Sequence, residues 1–299
     1  TTFRDGQQAR PPYPVKQIVD LSDLLHRLDG DTGLIRQSEF FLYTEKDRES
    51  VKQCLAKGYR YPEVTAWIRA TMSDLDLVKS MKLKEAGILC SISDYHIFLK
   101  FQKTRSQVIK GYLDVVKAAL EAGIVPRCHF EDMTRADYEG VVLPFAQSLM
   151  ELSVKYQKPV KIRVCDTMGF AIEYAGTALP RAVDKSFAGL LDEAGVPSAW
   201  LEWHGHNDFY RSVANSTAAW LSGCSGVNAS LLGTGERTGN TPLEAMVIEY
   251  IELTGKQGNI DTTAITDIAR YMARETAYEI PANQPFVGLN FNVTRAGIH

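Results

Sequence analysis

The chain has 299 residues, with 33 basic against 36 acidic side chains, a net charge of −3 and 45% hydrophobic content. That apolar share supports a sizeable core and excludes disorder, collagen and coiled coil. The near-neutral balance, with no Lys/Arg stripe interleaved with aromatics, argues against a nucleic-acid partner. No apolar run approaches the roughly 18 residues of a membrane helix, and residues 1–10 carry no signal-peptide core, so no membrane association is expected. Cys54, Cys90, Cys128, Cys165 and Cys224 form no CxxC pair. They read as reduced, buried thiols of a cytoplasmic protein.

In chain order, apolar runs bounded by polar or Gly/Pro signals predict strands at 34–42, 62–69, 88–93, 125–130, 160–165, 200–204 and 226–232. An eighth is expected in the stub 1–3, before Arg4-Asp5-Gly6. Between them, helical spacing predicts helices at 15–28, 45–57, 74–85, 106–121, 135–156, 173–193, 212–221 and 242–253. Strand starts recur at roughly 32 residues, the repeat of an α/β (β/α)8 TIM barrel. The expected organisation is a catalytic barrel over 1–258 and a short helical C-terminal extension over 259–299, the natural chain continuing past both ends. A doubly wound sheet competes through Gly233-Thr-Gly235-Glu-Arg-Thr238-Gly239, but the dinucleotide fingerprint needs glycine where Thr238 stands.

A barrel collects its active residues at the C-terminal ends of its strands. His204-Gly-His206 is the sharpest signal there: alternate residues of an extended strand point the same way and can present two imidazoles to one ion. Asp5, at the end of the neighbouring first strand, can add a carboxylate and leave positions open for substrate. An isolated HxH is more often ordinary loop or core histidine; strand-end placement favours metal. The non-haem iron oxygenases that share this ligand set use all-β scaffolds, so a divalent ion polarising a 2-oxo acid fits better. Arg4 can donate to the oxyanion that develops, or pair structurally with a carboxylate. Glu131 can relay a proton or be merely solvated. His96 and His129 can hold substrate carboxylates or be satisfied core histidines.

Phe3-Arg4-Asp5-Gly6-Gln7-Gln8, His204-Gly-His206-Asn207-Asp208 and Gly233-Thr-Gly235-Glu236-Arg237-Thr-Gly239-Asn240 together resemble the DRE-TIM metallolyase superfamily, in its Claisen-condensing branch. That branch holds the isopropylmalate, homocitrate, citramalate and Re-type citrate synthases. Ser93-Asp94-Tyr95-His96, Lys103-Thr104-Arg105, Phe130-Glu131-Asp132, Asp166-Thr167-Met168-Gly169 and Ala296-Gly297-Ile298-His299 match further family blocks in order. The resemblance implies condensation of acetyl-CoA with a 2-oxo acid, then thioester hydrolysis. It implies a divalent ion, Mn2+ foremost with Mg2+, Co2+ or Zn2+ as alternatives, on Asp5, His204 and His206 with Asn240 close by. Arg4 would stabilise the enolate or alkoxide, and Gln8, His96 and Thr167 would hold the 2-oxo acid. Glu131 and His299 would relay protons, His299 being donated by the partner of a homodimer.

The lyase branch carries a catalytic Cys within the loop at 232–240, and carboxyltransferases a Lys where Cys165 stands; neither is present. Among synthases, His129-Phe130-Glu131, Ala9-Arg10-Pro11-Pro12-Tyr13 and Trp67-Ile68-Arg69 resemble the citrate-forming subgroup. Burying a second substrate carboxylate requires cationic or donor partners, for which His129, Arg69 and Lys100 are candidates or, equally, structural residues. The expected substrate is therefore oxaloacetate. Another 2-oxo acid, a retro-aldol lyase or decarboxylase, or a barrel that has lost catalysis are the competing readings.

Overall fold

A computed structural model describes residues 1–294. Seven parallel strands lie in sequence order: β1 (Gln37–Phe40), β2 (Glu63–Arg69), β3 (Glu85–Ser91), β4 (Val125–Glu131), β5 (Lys161–Asp166), β6 (Leu201–Gly205) and β7 (Gly226–Asn228). Around them run α1 (Val15–Asp29), α2 (Glu45–Ala56), α3 (Met72–Ser80), α4 (Arg105–Glu121), α5 (Leu143–Tyr156), α6 (Val183–Asp192), α7 (Ser212–Leu221), α8 (Leu243–Thr254) and α9 (Ala264–Glu275). Reciprocal side-chain caps open α2 (Thr44 with Asp47) and α4 (Thr104 with Gln107), satisfying amide donors that the helix leaves free.

Side-chain alternation divides each strand between two environments. Ile68, Ile88, Cys128, Phe130, Ile162, Val164, Leu201 and Trp203 face the helices and are buried; Phe130 stacks on Phe145 of α5 at 5.0 Å. The opposite set meets across the sheet. Arg127 of β4 bonds Gln37 of β1 and Glu85 of β3, and reaches Glu202 of β6 at 2.9 Å; Arg163 of β5 reaches Glu39 of β1 at 2.7 Å. Contacts between such distant strands require the sheet to curl into a barrel, as expected, and its inner layer is charged where aliphatic side chains are usual.

The sheet departs from expectation at its open side. The stub 1–3 forms no strand; it turns into a short 3-10 helix at Asp5–Gln7. Its polar groups are spent on the flanking strand ends instead: the Thr1 backbone nitrogen donates to the Ala229 carbonyl (2.7 Å), Thr1 Oγ1 to Glu39, and Thr2 Oγ1 accepts from the Leu231 amide (2.9 Å). A cavity of about 1090 Å³ lies below this bridge, bordered by Ile35, Gln37, Arg163, Glu202 and Val247.

Three helices differ from prediction for local reasons. The chain reverses at Lys82 (φ 54°), so α3 ends at Ser80 and Glu85 already belongs to β3. Residues 172–182 form a loop closed by an Ile172–Ala182 bridge before α6 begins. A wide π turn at Tyr138–Val142 precedes α5, with Pro144 in its first turn, where a missing amide costs nothing. α9 packs on α1 through the buried Ile268 and Met272.

Two expected outcomes follow from the buried charges. Arg127→Met leaves Glu85 with Lys161 and Glu202 with Arg163 as their remaining cationic partners, and should cost about 1–3 kcal/mol of unfolding free energy in urea denaturation. Glu244, at the start of α8, is buried with its own amide, the Leu232 amide (3.0 Å) and Gln284 as partners and no cation among them, and burial pushes its carboxyl up from 4.5 to about 7. The folded state therefore binds a proton the unfolded chain has released, and stability falls as pH rises from 4.5 through about 7. Melting temperatures of Glu244→Gln should be flatter across that window and exceed the parent's at pH ~8; an identical pH dependence would refute the assignment.

Candidate active site

At the C-terminal mouth, Asp5, His204 and His206 converge, each at most 4% exposed. His204 and His206 alternate across the end of β6, which brings their Nε2 atoms to 3.2 Å from each other. Asp5 Oδ2 lies 3.5 Å from His204 Nε2 and 3.6 Å from His206 Nε2. Three donors each about 2.1 Å from one ion would stand roughly 3.0–3.4 Å apart, so this triangle is sized for a divalent cation. The donor chemistry agrees. Burial alone would raise the Asp5 carboxyl, but Arg4, the two imidazoles and the Asn240 amide hold it well below the ordinary range. Burial, then the neighbouring His206, keeps His204 neutral.

The ligands are oriented from behind. Asn228 of β7, in register with His204, places its Oδ1 2.8 Å from His204 Nδ1. An amide oxygen can only accept, so the ring proton sits on Nδ1 and the Nε2 lone pair faces the triangle. Asp5 Oδ1 accepts from Asn240 Nδ2 (3.0 Å) and from the Glu236 amide (3.3 Å). Asn240 Oδ1 is buried with no partner among the described residues, a second acceptor available to a cation. This closeness needs glycine at 235, where a Cβ would lie 2.1 Å from Asn240 Nδ2 and 2.9 Å from Asp5 Oδ1.

Arg4 donates through Nη1 to Asp5 and through Nε to Glu39, each at 3.0 Å. Glu39 also receives Arg163; burial works against its charge, but Arg163, Arg4 and His129 hold its carboxyl well below the ordinary range. His129 belongs to this inner network. Its Nε2 lies 3.1 Å from Arg163 Nη1 and 3.4 Å from Glu39, and burial followed by Arg163 lowers it to about 3, so it is neutral.

On the other side of the mouth, Glu131 accepts from Ser91 and lies 3.7 Å from His96 Nε2. His96 Nδ1 meets Ser93 Oγ (2.9 Å), which donates to Asp132 Oδ2 (2.6 Å). Asp132 holds a left-handed backbone (φ 64°), and its amide donates to Thr167 Oγ1 at 2.8 Å, leaving the Thr167 hydroxyl proton to donate elsewhere. Gln8 is exposed and bonds Glu236 at 3.1 Å. Arg69 is 63% exposed and paired bidentately with Asp74 of α3 (2.9 Å each), a carboxylate partner of its own. His299 lies outside the described residues.

Glu39, Asn228, Ser91, Ser93 and Asp132 thus support the site without having been given a role in it from the sequence, although Glu39 belongs to the polar set at the strand ends and Ser93 and Asp132 to the motif blocks. A signal existed for two of them: Glu39 is a charged residue inside an apolar strand, and Asp132 directly follows Glu131 at a strand end. Asn228 and Ser91 become visible only through strand register and sheet curvature.

The chain was compared with known proteins. A family described as HMGL-like matches residues 1–272. Two curated relatives, each named Citrate (Re)-synthase, align with the whole chain. That of Syntrophus aciditrophicus is 59% identical over 299 residues, and that of Clostridium kluyveri 53% identical over 299 residues. The chain spans 48% of the first and 66% of the second. Among solved structures, hydroxymethylglutaryl-CoA lyase from Pseudomonas aeruginosa superposes with TM-score 0.69 at 18% identity, covering 93% of this chain and 91% of that one. With the family match spanning nearly the whole barrel and the motif residues of its opening and sixth-strand blocks meeting at one point, the chain belongs to the HMGL-like family.

Proposed function

We propose that this chain forms the catalytic barrel of a cytoplasmic synthase that condenses acetyl-CoA with oxaloacetate and, with one water, releases citrate and CoA. The observation that carries the reading is the buried Asp5–His204–His206 triangle with the Arg4 guanidinium 3.0 Å from Asp5. The citrate product comes from the name shared by the two relatives at 59% and 53% identity, and acetyl-CoA and oxaloacetate from the resemblance of the motif blocks. A divalent cation, Mn2+ foremost, would be held by Asp5, His204 and His206 with Asn240 beside them, where it would polarise the 2-oxo group and stabilise the alkoxide of addition.

The chain's own groups supply the rest. Arg4 is fixed by two carboxylates, so the second N–H of Nη1, the nitrogen that meets Asp5, is aimed without reorganisation at negative charge developing beside Asp5. Thr167, its hydroxyl already accepting from Asp132, donates to a substrate carboxylate. Glu131, bonded to Ser91 and near His96, is placed to take and return the protons that enolate formation and thioester hydrolysis move. Gln8 and His96 line the 2-oxo acid's approach. A homodimer with His299 reaching the partner's site completes the relay in this reading.

CoA release measured with oxaloacetate, 2-oxoglutarate, 2-oxoisovalerate and pyruvate should favour oxaloacetate and vanish with chelator. Preference for any other acid rejects the substrate assignment. Asp5→Asn and His204→Ala should abolish stoichiometric Mn2+ binding in calorimetry while leaving the circular dichroism unchanged; full binding by either variant removes Asp5 and His204 from the ligand set. Asn228→Leu, which frees the His204 ring and its tautomer, should weaken Mn2+ binding about 10–100-fold.

A further inference from the structure

Trp67 stands two residues before Arg69 on β2 and faces the barrel interior. Its ring lies 5.1 Å from the Arg4 guanidinium carbon and meets Phe41 and His129 edge-on, with centroids at 5.5 and 6.4 Å. The indole Nε1 is buried, yet no group among the described residues accepts its proton. Gly87 of β3 is what lets the indole and the imidazole pack this closely: a Cβ there would lie 3.2 Å from Trp67 Cδ1 and 2.5 Å from His129 Nε2. Arg4 spends Nε on Glu39 and Nη1 on Asp5, while its Nη2 has no hydrogen-bond partner among the described residues.

We propose that Trp67 Nε1, with the free edge of Arg4, forms the subsite for the second carboxylate of a dicarboxylic 2-oxo acid. The proposal rests on the oxaloacetate reading and names the group that would enforce it. The two other candidates for this role are engaged: Arg69 with Asp74, and His129 with Glu39 and Arg163. A buried donor left unpaired penalises any ligand that cannot accept from it, so an acid with a methyl or isopropyl group in that place is rejected as well as unrewarded. Arg4 links this subsite to Asp5, and hence to the end of the substrate where carbon–carbon bond formation occurs.

Malate and lactate, stable 2-hydroxy counterparts of oxaloacetate and pyruvate, separate the second carboxylate from the rest of the molecule. Calorimetry on the Zn2+-loaded chain should show malate binding tighter than lactate. Trp67→Phe, which keeps an aromatic face for Arg4, should weaken malate about tenfold or more and lactate by less than about twofold; Trp67→His, with a ring N–H, should recover part of the loss. Independently of any substitution, the Trp67 indole N–H resonance in 15N-labelled parent chain should move downfield with malate and stay in place with lactate. An unmoved indole resonance, or equal binding of the two acids by the parent, overturns the subsite. The reaction assignment fails separately: malate selectivity through Trp67 combined with CoA release preferring pyruvate leaves the subsite standing and removes citrate formation.

Discussion

Glu39 is a carboxylate with essentially no access to water, and it remains charged because Arg4 and Arg163 reach it from two sides. Much of the interior is built outward from that constraint. Arg163 continues to Glu202, Glu202 to Arg127, and Arg127 to Glu85 and Gln37. Burial alone would raise Glu202, yet Arg127, Arg163 and Lys161 bring it down to about 2. An aliphatic barrel interior of the same volume could be as stable, since desolvating paired charges roughly cancels their attraction. What the charged interior provides is direction. Each guanidinium is planar and forked, so its carboxylate partners fix where it points.

Direction matters most at Arg4, the residue common to the interior network and the site. One edge is tied to Glu39 in the inner layer and another to Asp5 in the Asp5–His204–His206 triangle, so the guanidinium cannot swing toward solvent without giving up two buried ion pairs. The triangle is fixed in the same manner. Asn228 sets the tautomer of His204, and Asn240 with the Glu236 amide sets the rotamer of Asp5. The reacting end of the pocket is therefore preorganised by groups that do not touch substrate, the arrangement on which electrostatic stabilisation of a developing alkoxide depends.

Strand positions and the shared facing of His204 and His206 were legible in the sequence because both rest on short-range periodicity, whereas Asp5 was expected at the end of a first strand that does not form. Period-two alternation put His204 and His206 on one face, and apolar runs located all seven strands that form. Helix bounds were less legible where tertiary contacts override local pattern. The spacing at 173–193 is helical throughout, yet the Ile172–Ala182 bridge holds nearly its first half as a loop. Roles that depend on which partner a side chain chooses were the least legible. Arg69 and His129 read either as donors for a substrate carboxylate or as structural residues, and each already has a carboxylate, Asp74 on the next helix and Glu39 three strands away across the interior. Trp67 read only as part of a resembling block, because an unpartnered indole N–H is a property of packing and leaves no trace in spacing.

The open side of the sheet gives the site a further dependence. β1 and β7 do not pair among the described residues, and the gap between them is spanned by side chains and single hydrogen bonds: Thr1 to Ala229 and Glu39, Thr2 to Leu231, Asp5 to Asn240 and to the imidazoles. Asp5 comes from the segment beside β1, the histidines from the end of β6 and Asn240 from the loop beyond β7, so the Asp5–His204–His206 triangle lies across the seam rather than on one wall. Anything that binds Asp5, His204 and His206 together also holds the two sides of the barrel together, and binding free energy becomes closure free energy. The ligands are then ordered by the same seam they secure. This couples the integrity of the mouth, including the position of Arg4 and the wall that carries Trp67, to occupancy of a site assembled from opposite ends of the chain.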